Sequence, residues 1–187
     1  DSTLLILVFF LGLGVFNAVS TCIDQICQLK NLSVEETGLV GGIMLIAGII
    51  GAAIVPVFSD KLNRRKPFLM VGITGSAIGL AGLTFAVGFV SALIGSFILG
   101  FFLLGICAPI GFQYGAEVSH PAPESTAQGL VLLAGQISGI IFILAINQIG
   151  VDFLMKGFIG MLAATIFVVS MLGESPVCNP LAQKATD

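Results

Sequence analysis

The feature that most constrains this chain is a pair of long apolar stretches separated by a short basic turn. The turn, Asp60–Pro67, reads DKLNRRKP and holds four of the seven basic residues in the sequence. A hydrocarbon core about 30 Å thick requires roughly 20 apolar residues of helix, so each flanking stretch is long enough to cross a membrane. The pattern therefore predicts a hairpin of two transmembrane helices.

The composition extends this prediction to the whole chain. Hydrophobic residues make up 57% of the sequence and charged residues only 9%, with a mean hydropathy of +1.12. Soluble domains carry about 25% charged residues, and a soluble fold of this length could not bury so much apolar surface. The chain is therefore predicted to be an integral membrane protein in contact with the lipid bilayer. Its net charge of −3 offers no basic surface for a nucleic acid.

Six membrane spans are predicted, giving an all-α membrane protein whose bundle occupies residues 1–172 and is followed by a polar tail at 173–187. Pro56 is expected to kink the second span or to end it early, and Pro109 to weaken the fourth. GxxxG pairs in the second and third spans predict close helix packing, at Gly38 with Gly42 and at Gly75 with Gly79. The predicted spans are 3–24, 37–58, 67–87, 91–116, 126–149 and 157–172, with a short loop at 151–156.

The distribution of basic residues predicts the orientation of the bundle. If the 60–66 turn is cytoplasmic, five basic residues lie inside, four of them in the turn and the fifth at Lys184, whereas Lys30 and Lys156 lie outside. This division agrees with the positive-inside rule. It predicts that both termini and the tail are cytoplasmic, in what we expect to be the plasma membrane.

The turn also carries a recognisable motif. The pattern D-x-x-x-R-R-K-P between the second and third of six spans resembles the cytoplasmic signature loop of the major facilitator superfamily. This resemblance implies a gate in which carboxylates and arginines at helix ends pair in one transport state and separate in the other. The residues expected to form the gate are Asp60, Arg64, Arg65, Glu117 and Glu124. The alternative is a solvated turn that only sets orientation.

A second resemblance covers most of the chain. Several stretches are similar to one facilitator family, the feline leukaemia virus subgroup C receptor-related family, which includes proteins described as haem or choline transporters. The most specific is residues 109–141, and the others lie in the first span. The matching segments are PIGFQYGAE at 109–117 with Pro121 and Glu124, GL at 129–130 with GQISGII at 135–141, and NAVST at 17–21 with Gln25. The sequence departs from the family at Ser125, where a glycine is usual, and at Asn17, where choline-transporting members have an aromatic residue.

The family resemblance implies that this chain is the carboxy-terminal half of a twelve-helix transporter, built from two inverted three-helix repeats. An amino-terminal half would then be its partner, and a small organic solute its substrate. The solute would be choline-like, haem or another organic cation, carried by alternating access. The start at Asp1, without an initiator methionine, favours a fragment over a complete protein.

The residues expected to contact substrate are Gln136, which matches a family glutamine thought to touch substrate, and Asn17, Ser20 and Thr21 in the first span. Polar side chains at membrane depth tend to face a cavity or another helix. The alternative for Gln136 and for the first-span residues is therefore a hydrogen bond between helices, which would serve packing rather than binding.

Other functions receive less support from the sequence. The span interiors hold no Asp, Glu or His, so they offer no convergent groups for a membrane enzyme. We expect no catalytic residue, metal site or cofactor. The four cysteines have no metal-binding spacing, and the single histidine, His120, has no second haem ligand nearby in the sequence. The remaining alternative is a self-contained six-helix channel or scaffold that forms a homodimer.

Overall fold

The computed structural model describes residues 2–62, 64–119 and 123–173, and every regular element within these ranges is helical. The predicted tail therefore lies almost wholly outside the described residues. The elements in chain order are α1 (Ser2–Thr21), α2 (Ile23–Gln28), α3 (Val34–Leu62), α4 (Lys66–Thr84), α5 (Phe89–Leu99), a π-helical segment (Gly100–Cys107), α6 (Ala108–Val118), α7 (Glu124–Ile149) and α8 (Val151–Met171).

Six helical stretches are long and apolar enough to cross a membrane, which confirms the predicted number. They are Thr3–Thr21, Val34–Leu62, Lys66–Thr84, Phe89–Val118, Glu124–Ile149 and Val151–Met171. The fourth span, Phe89–Val118, is composed of α5, the π segment and α6. The bundle has a basic end, where α3 connects to α4 and α6 terminates, and a far end, where α2 lies and α7 connects to α8.

The predicted loop at 151–156 is wrong, because α8 already begins at Val151. Gly150 alone connects α7 to α8, with a positive φ of 107° that favours glycine over other residues. The charged residues that suggested a loop instead form an ion pair one helical turn apart, Lys156 Nζ to Asp152 Oδ2 at 2.6 Å. An acidic residue in a first helical turn is favourable because it faces the positive end of the helix dipole.

Two prolines have different effects on their helices. Of the two effects expected of Pro56, early termination of the span is wrong, since α3 continues for six residues beyond it to Leu62, and a kink at this position stays a prediction. Pro109 does perturb the fourth span, because the wide π turns of Gly100–Cys107 immediately precede it. Proline has no N–H and its ring clashes with a preceding carbonyl, and a local π-helical adjustment accommodates both defects in a membrane helix.

Glycines bring helix backbones into contact, and the predicted close packing is confirmed at Gly75 and Gly79. A Cβ atom added at Gly51 of α3 would lie 2.8 Å from the Cα of Gly105 in the π segment, so the two backbones touch. Gly75 and Gly79 likewise lie against the fourth span. A Cβ atom added at Gly38 or Gly42, however, would have no neighbouring atom of the described chain within 4 Å, so the first predicted GxxxG pair is not a packing motif within this bundle.

The six spans form two sets of three helices, and the first helix of each set packs mainly against the second and third helices of the other set. The helix α1 packs mainly against α7 and α8, whereas the fourth span packs mainly against α3 and α4. The helices α4 and α8 also contact each other. Exchanging α1, α3 and α4 with the fourth span, α7 and α8 reproduces this pattern, as expected of two inverted three-helix repeats.

We predict that Gly51→Ala destabilises the bundle by about 1–3 kcal/mol, because the added methyl group would overlap the backbone of the fourth span. Thermal unfolding in a single detergent would measure the change. The matched control is Gly42→Ala on the same helix, which adds its methyl group to open space and removes a helix-weakening glycine, so it should be neutral or stabilising by up to about 1 kcal/mol. Equal effects of the two substitutions would contradict the packing described above.

Candidate functional site

The candidate site is a charged network at the basic end, centred on Arg65. This residue is only 8% exposed, and its guanidinium lies between the ends of α3 and α6. Nη1 donates to Asp60 Oδ1 at 2.5 Å and to Ser59 Oγ at 3.1 Å, while Nη2 donates to Glu117 Oε1 at 3.0 Å. Nε donates to the same Glu117 oxygen at 3.3 Å. Arg65 thus connects the α3–α4 turn to the end of the fourth span.

Ser59 fixes the shape of the turn that presents Arg65. Its side chain is fully buried, and the hydroxyl donates to the backbone carbonyl of Arg64 at 2.8 Å while it accepts a hydrogen bond from the Arg65 side chain. Sequence reasoning did not identify Ser59. The available signal was its spacing, four residues after the buried Val55 and thus on the inward face of α3.

The electrostatics of the network favour a permanently charged Arg65. Burial alone would lower the pKa of Arg65, but the hydrogen bonds to Glu117 and Asp60, together with the charges of those carboxylates, raise it above its ordinary value. The guanidinium therefore stays protonated at every accessible pH. Its ion pairs with Asp60 and Glu117 therefore do not depend on the protonation state of Arg65.

Two further contacts hold α8 at the same end. Lys66 Nζ donates to the carbonyl of Ser170 at 2.8 Å, and Tyr114 Oη donates to the carbonyl of Gly173 at 3.1 Å. A cation bound to the last carbonyls of a helix also faces the negative end of its dipole. Lys66 thus connects the start of α4 to the end of α8.

The structure does not bring all five predicted gate residues together. Asp60, Arg65 and Glu117 meet, as described. Arg64 is exposed and makes no ion pair within the described ranges, and Glu124 accepts a hydrogen bond from Gln128 Nε2 at 2.9 Å. His120, Pro121 and Ala122, which belong to the same connection, lie outside the described residues.

Gln113, which is not among the predicted site residues, lies close to Glu117 in sequence. Its Oε1 atom is buried and accepts no hydrogen bond from any described residue. Gln113 lies four residues before Glu117, on the same face of α6 and one turn deeper in the membrane. A buried acceptor without a hydrogen bond is unfavourable. The Oε1 atom of Gln113 is such an acceptor among the described residues.

The four predicted substrate residues differ in their surroundings. Gln136 is exposed on α7, and its side chain forms no hydrogen bond to any described residue. Asn17 instead makes the bond between helices, with Nδ2 donating to the carbonyl of Gly135 at 3.2 Å. Ser20 donates to the carbonyl of Asn17 within α1 at 3.3 Å, and Thr21 is exposed at the end of that helix. The Asn17 bond places α1 directly beside the turn of α7 that carries Gln136.

Two cysteines, Cys22 and Cys27, lie outside the membrane spans among the described residues. Cys22 and Cys27 are free and buried, and burial raises the pKa of both thiols. Thiolates are the reactive form of cysteine, so these two side chains stay in their unreactive, protonated form. No group of three or more His, Cys, Asp or Glu residues in the described part of the chain could hold a metal ion.

Comparison with known families identifies the architecture. The family model described as Major Facilitator Superfamily matches residues 1–143. The chain belongs to this superfamily. Its members are transporters rather than enzymes, which confirms the prediction that the chain is not an enzyme.

Curated proteins resemble the chain at about 30% identity. The Choline/ethanolamine transporter FLVCR1 of Mus terricolor is 31% identical over 154 residues, covering 80% of this chain and 27% of that protein. An uncharacterized protein of Archaeoglobus fulgidus is 30% identical over 142 residues, covering 75% of this chain and 64% of that protein. The chain therefore spans less than two thirds of either relative. The match to FLVCR1 confirms the resemblance to the feline leukaemia virus subgroup C receptor-related family.

A solved superfamily member shows the same fold. The inward-open structure of the xylose transporter XylE from E. coli matches 98% of this chain and 53% of its own chain, with a TM-score of 0.67 and 19% sequence identity. At this identity the match bears on the fold alone. Six helices of this chain thus occupy about half of a complete superfamily transporter.

We predict that Arg65→Ala destabilises the bundle by about 3 kcal/mol, because it leaves the carboxylate of Glu117, whose side chain is 15% exposed, without its Arg65 cation. Arg64→Ala is the matched control. Arg64 is the neighbouring residue and is exposed, so this substitution removes the same charge from the surface and its effect should stay within about 0.5 kcal/mol. Unfolding midpoints of both variants in one detergent would test this, and a similar loss for Arg64→Ala would argue against a specific network.

Proposed function

We propose that this chain forms the carboxy-terminal half of a facilitator-type transporter that moves a small organic cation by alternating access. The observation that carries the proposal is the match to choline/ethanolamine transporters across most of the chain. The size of the bundle supports it, since six spans correspond to about half of XylE. An amino-terminal six-helix half would complete the substrate cavity.

Choline or ethanolamine is the proposed substrate class, because the relative carries these solutes in its name. Gln136 is the proposed binding residue, since an exposed side chain with no hydrogen-bond partner among the described residues remains available to a ligand. Asn17 is proposed to position α1 beside Gln136, because its amide is already bonded to Gly135. Ser20 and Thr21 would border the same cavity from the end of α1.

The proposed orientation places the basic end in the cytoplasm, with both termini on that side of a plasma membrane. The concentration of Lys61, Arg64, Arg65 and Lys66 at this end supports it. In this orientation the Arg65 network acts as a cytoplasmic gate. Its ion pairs hold the ends of α3 and α6 together in one state, and their separation accompanies opening toward the cytoplasm.

Uptake measurements on the product of the complete gene would test this function. We expect saturable uptake of labelled choline or ethanolamine into proteoliposomes, and we expect Gln136→Ala to reduce the ratio of kcat to KM by about tenfold, the effect of one lost hydrogen bond to a charged ligand. Gln148→Ala is the matched control, because Gln148 is an exposed glutamine at the far end of the same helix.

Two results would count against the proposal. Uptake that is equally impaired by Gln136→Ala and Gln148→Ala would remove Gln136 from the site. Full uptake by residues 1–187 alone, purified as a monomer, would contradict the need for a second half.

Binding without uptake would be visible as a thermal shift, since a ligand at 100 times its Kd stabilises a protein by about 2.7 kcal/mol.

A second candidate is a self-contained six-helix protein that pairs with another copy of itself. It is favoured by the archaeal relative, because this chain already covers 64% of that protein. Symmetric pairing of identical subunits is the commonest form of association. The mass of the purified protein in a mild detergent separates the two candidates, since a homodimer of 187-residue chains supports the second and a single longer chain supports the first.

A further inference from the structure

The connection between α4 and α5 exposes large apolar side chains at the far end of the bundle. It consists of residues 85–88, which we call the apolar turn. Phe85 and Val87 in this turn are 64% and 96% exposed, and Val90 in the first turn of α5 is 67% exposed. These three side chains are thus accessible to whatever surrounds the bundle at this level.

The sequence around the apolar turn carries no charge. Between Lys66 and Glu117 there is no Asp, Glu, Lys, Arg or His. Other parts of the far end, which are α2, the segment after it and the start of α8, carry the charged residues Asp24, Lys30, Glu35, Glu36, Asp152 and Lys156. Charged groups favour water over hydrocarbon, so this contrast separates the apolar turn from the rest of the far end.

Helix length places the apolar turn at the boundary of the hydrocarbon core. The helix α4 has 19 residues, from Lys66 at the basic end to Thr84, and so extends about 28 Å. A hydrocarbon core is about 30 Å thick. The helix α3, with 29 residues, extends about 44 Å and reaches beyond the core. The end of α4 therefore lies no further out than the far boundary of the core.

Ser91 pairs with backbone groups in the second half of the apolar turn. Its hydroxyl accepts hydrogen bonds from the N–H groups of Val87 at 3.1 Å and Gly88 at 3.2 Å, and it donates to the carbonyl of Gly88 at 2.9 Å. Irregular backbone at membrane depth is unfavourable unless the protein itself supplies such partners. These bonds satisfy that condition without water.

Lys30 pairs with carbonyls at the start of the apolar turn. It lies in the segment between α2 and α3, and its Nζ donates to the carbonyls of Thr84 at 2.8 Å and Ala86 at 3.1 Å. Carbonyls at the end of a helix have no partner within the helix. Burial lowers the pKa of Lys30, as expected of an ammonium group partly withdrawn from water. Lys30 thus supplies donors that water would otherwise supply.

We propose that the apolar turn is inserted into the bilayer at the far boundary of the hydrocarbon core, with Phe85, Val87 and Val90 against lipid acyl chains. Lys30 is the positioning residue that keeps the turn at this depth, because it pairs the carbonyls that would otherwise require water. The contact with lipid is independent of any transported solute.

Photocrosslinking of the complete gene product in nanodiscs of a single phosphatidylcholine would test this contact. The probe p-benzoylphenylalanine in place of Val87 is expected to form adducts with acyl chains, visible by mass spectrometry as the added mass of one lipid. The matched control is the same probe in place of Val34, a largely exposed valine of the far end that precedes Glu35 and Glu36. We expect about ten times fewer lipid adducts there, because the adjacent carboxylates keep that position in water.

Two outcomes of this experiment would overturn the proposal. Equal yields of lipid adduct at positions 87 and 34 would show that the apolar turn lies no deeper than the charged segment beside it. Crosslinks from position 87 to the amino-terminal part of the protein or to a second copy, in place of lipid, would show that protein covers the turn.

Substitution of Lys30 tests its positioning role. Lys30→Met removes both bonds to carbonyls, so lipid adducts at position 87 should fall by about tenfold, the equivalent of one hydrogen bond to a charged group. Lys30→Arg retains donors and should preserve most of the yield. Lys156→Met, which removes one partner of an exposed ion pair, should leave it unchanged.

A probe elsewhere on α4 distinguishes movement of the turn from general unfolding. Ile78 is exposed near the middle of α4, and lipid adducts from a probe in its place should persist in Lys30→Met. Unchanged adducts at position 87 in Lys30→Met would overturn the role of Lys30, as would an equal loss at positions 87 and 78.

Discussion

The structure depends on the burial of one positive charge at the junction of three helix ends. A guanidinium taken out of water is unfavourable unless its donors are matched by acceptors of opposite charge, and Arg65 has such partners only when α3 and α6 end beside it. The turn between α3 and α4 therefore cannot take an arbitrary shape. With Lys66 binding the last turn of α8 next to it, a stretch of two residues determines how four helices meet at the basic end.

The number and type of helices could be predicted from the sequence because each span must satisfy its backbone within the membrane. The boundaries were less certain wherever charges lie inside a helix, as Asp152 and Lys156 do. The choice between Arg64 and Arg65 could not be made from the sequence. Both follow α3 in an irregular turn, where no periodicity relates sequence position to side-chain direction. The contacts with Ser59, Asp60 and Glu117 are what distinguish Arg65.

The interior contacts show the same limit. Gln136 and Asn17 are both amides at membrane depth, yet Asn17 bonds across to α7 and Gln136 makes no such bond within the described chain. The difference arises from Gly135 and Gly139, where α1 approaches the α7 backbone closely enough for a short side chain to reach a carbonyl. Similarly, Gly51 packs and Gly42 does not, although both lie on α3. Which glycines face a neighbour depends on helix rotation, and a single apolar sequence in lipid carries little information about rotation.

The π segment has a consequence for how this chain can vary. In an α-helix each residue turns the chain by about 100°, so the wide turns of Gly100–Cys107 set the angle at which α6 leaves α5. Glu117 lies in α6, well beyond the end of the π segment, and this angle directs its carboxylate toward Arg65. Gain or loss of a single residue there would rotate the carboxylate to another side of the span. The length of this stretch, more than the identity of its apolar residues, is what natural variation in such a protein has to preserve.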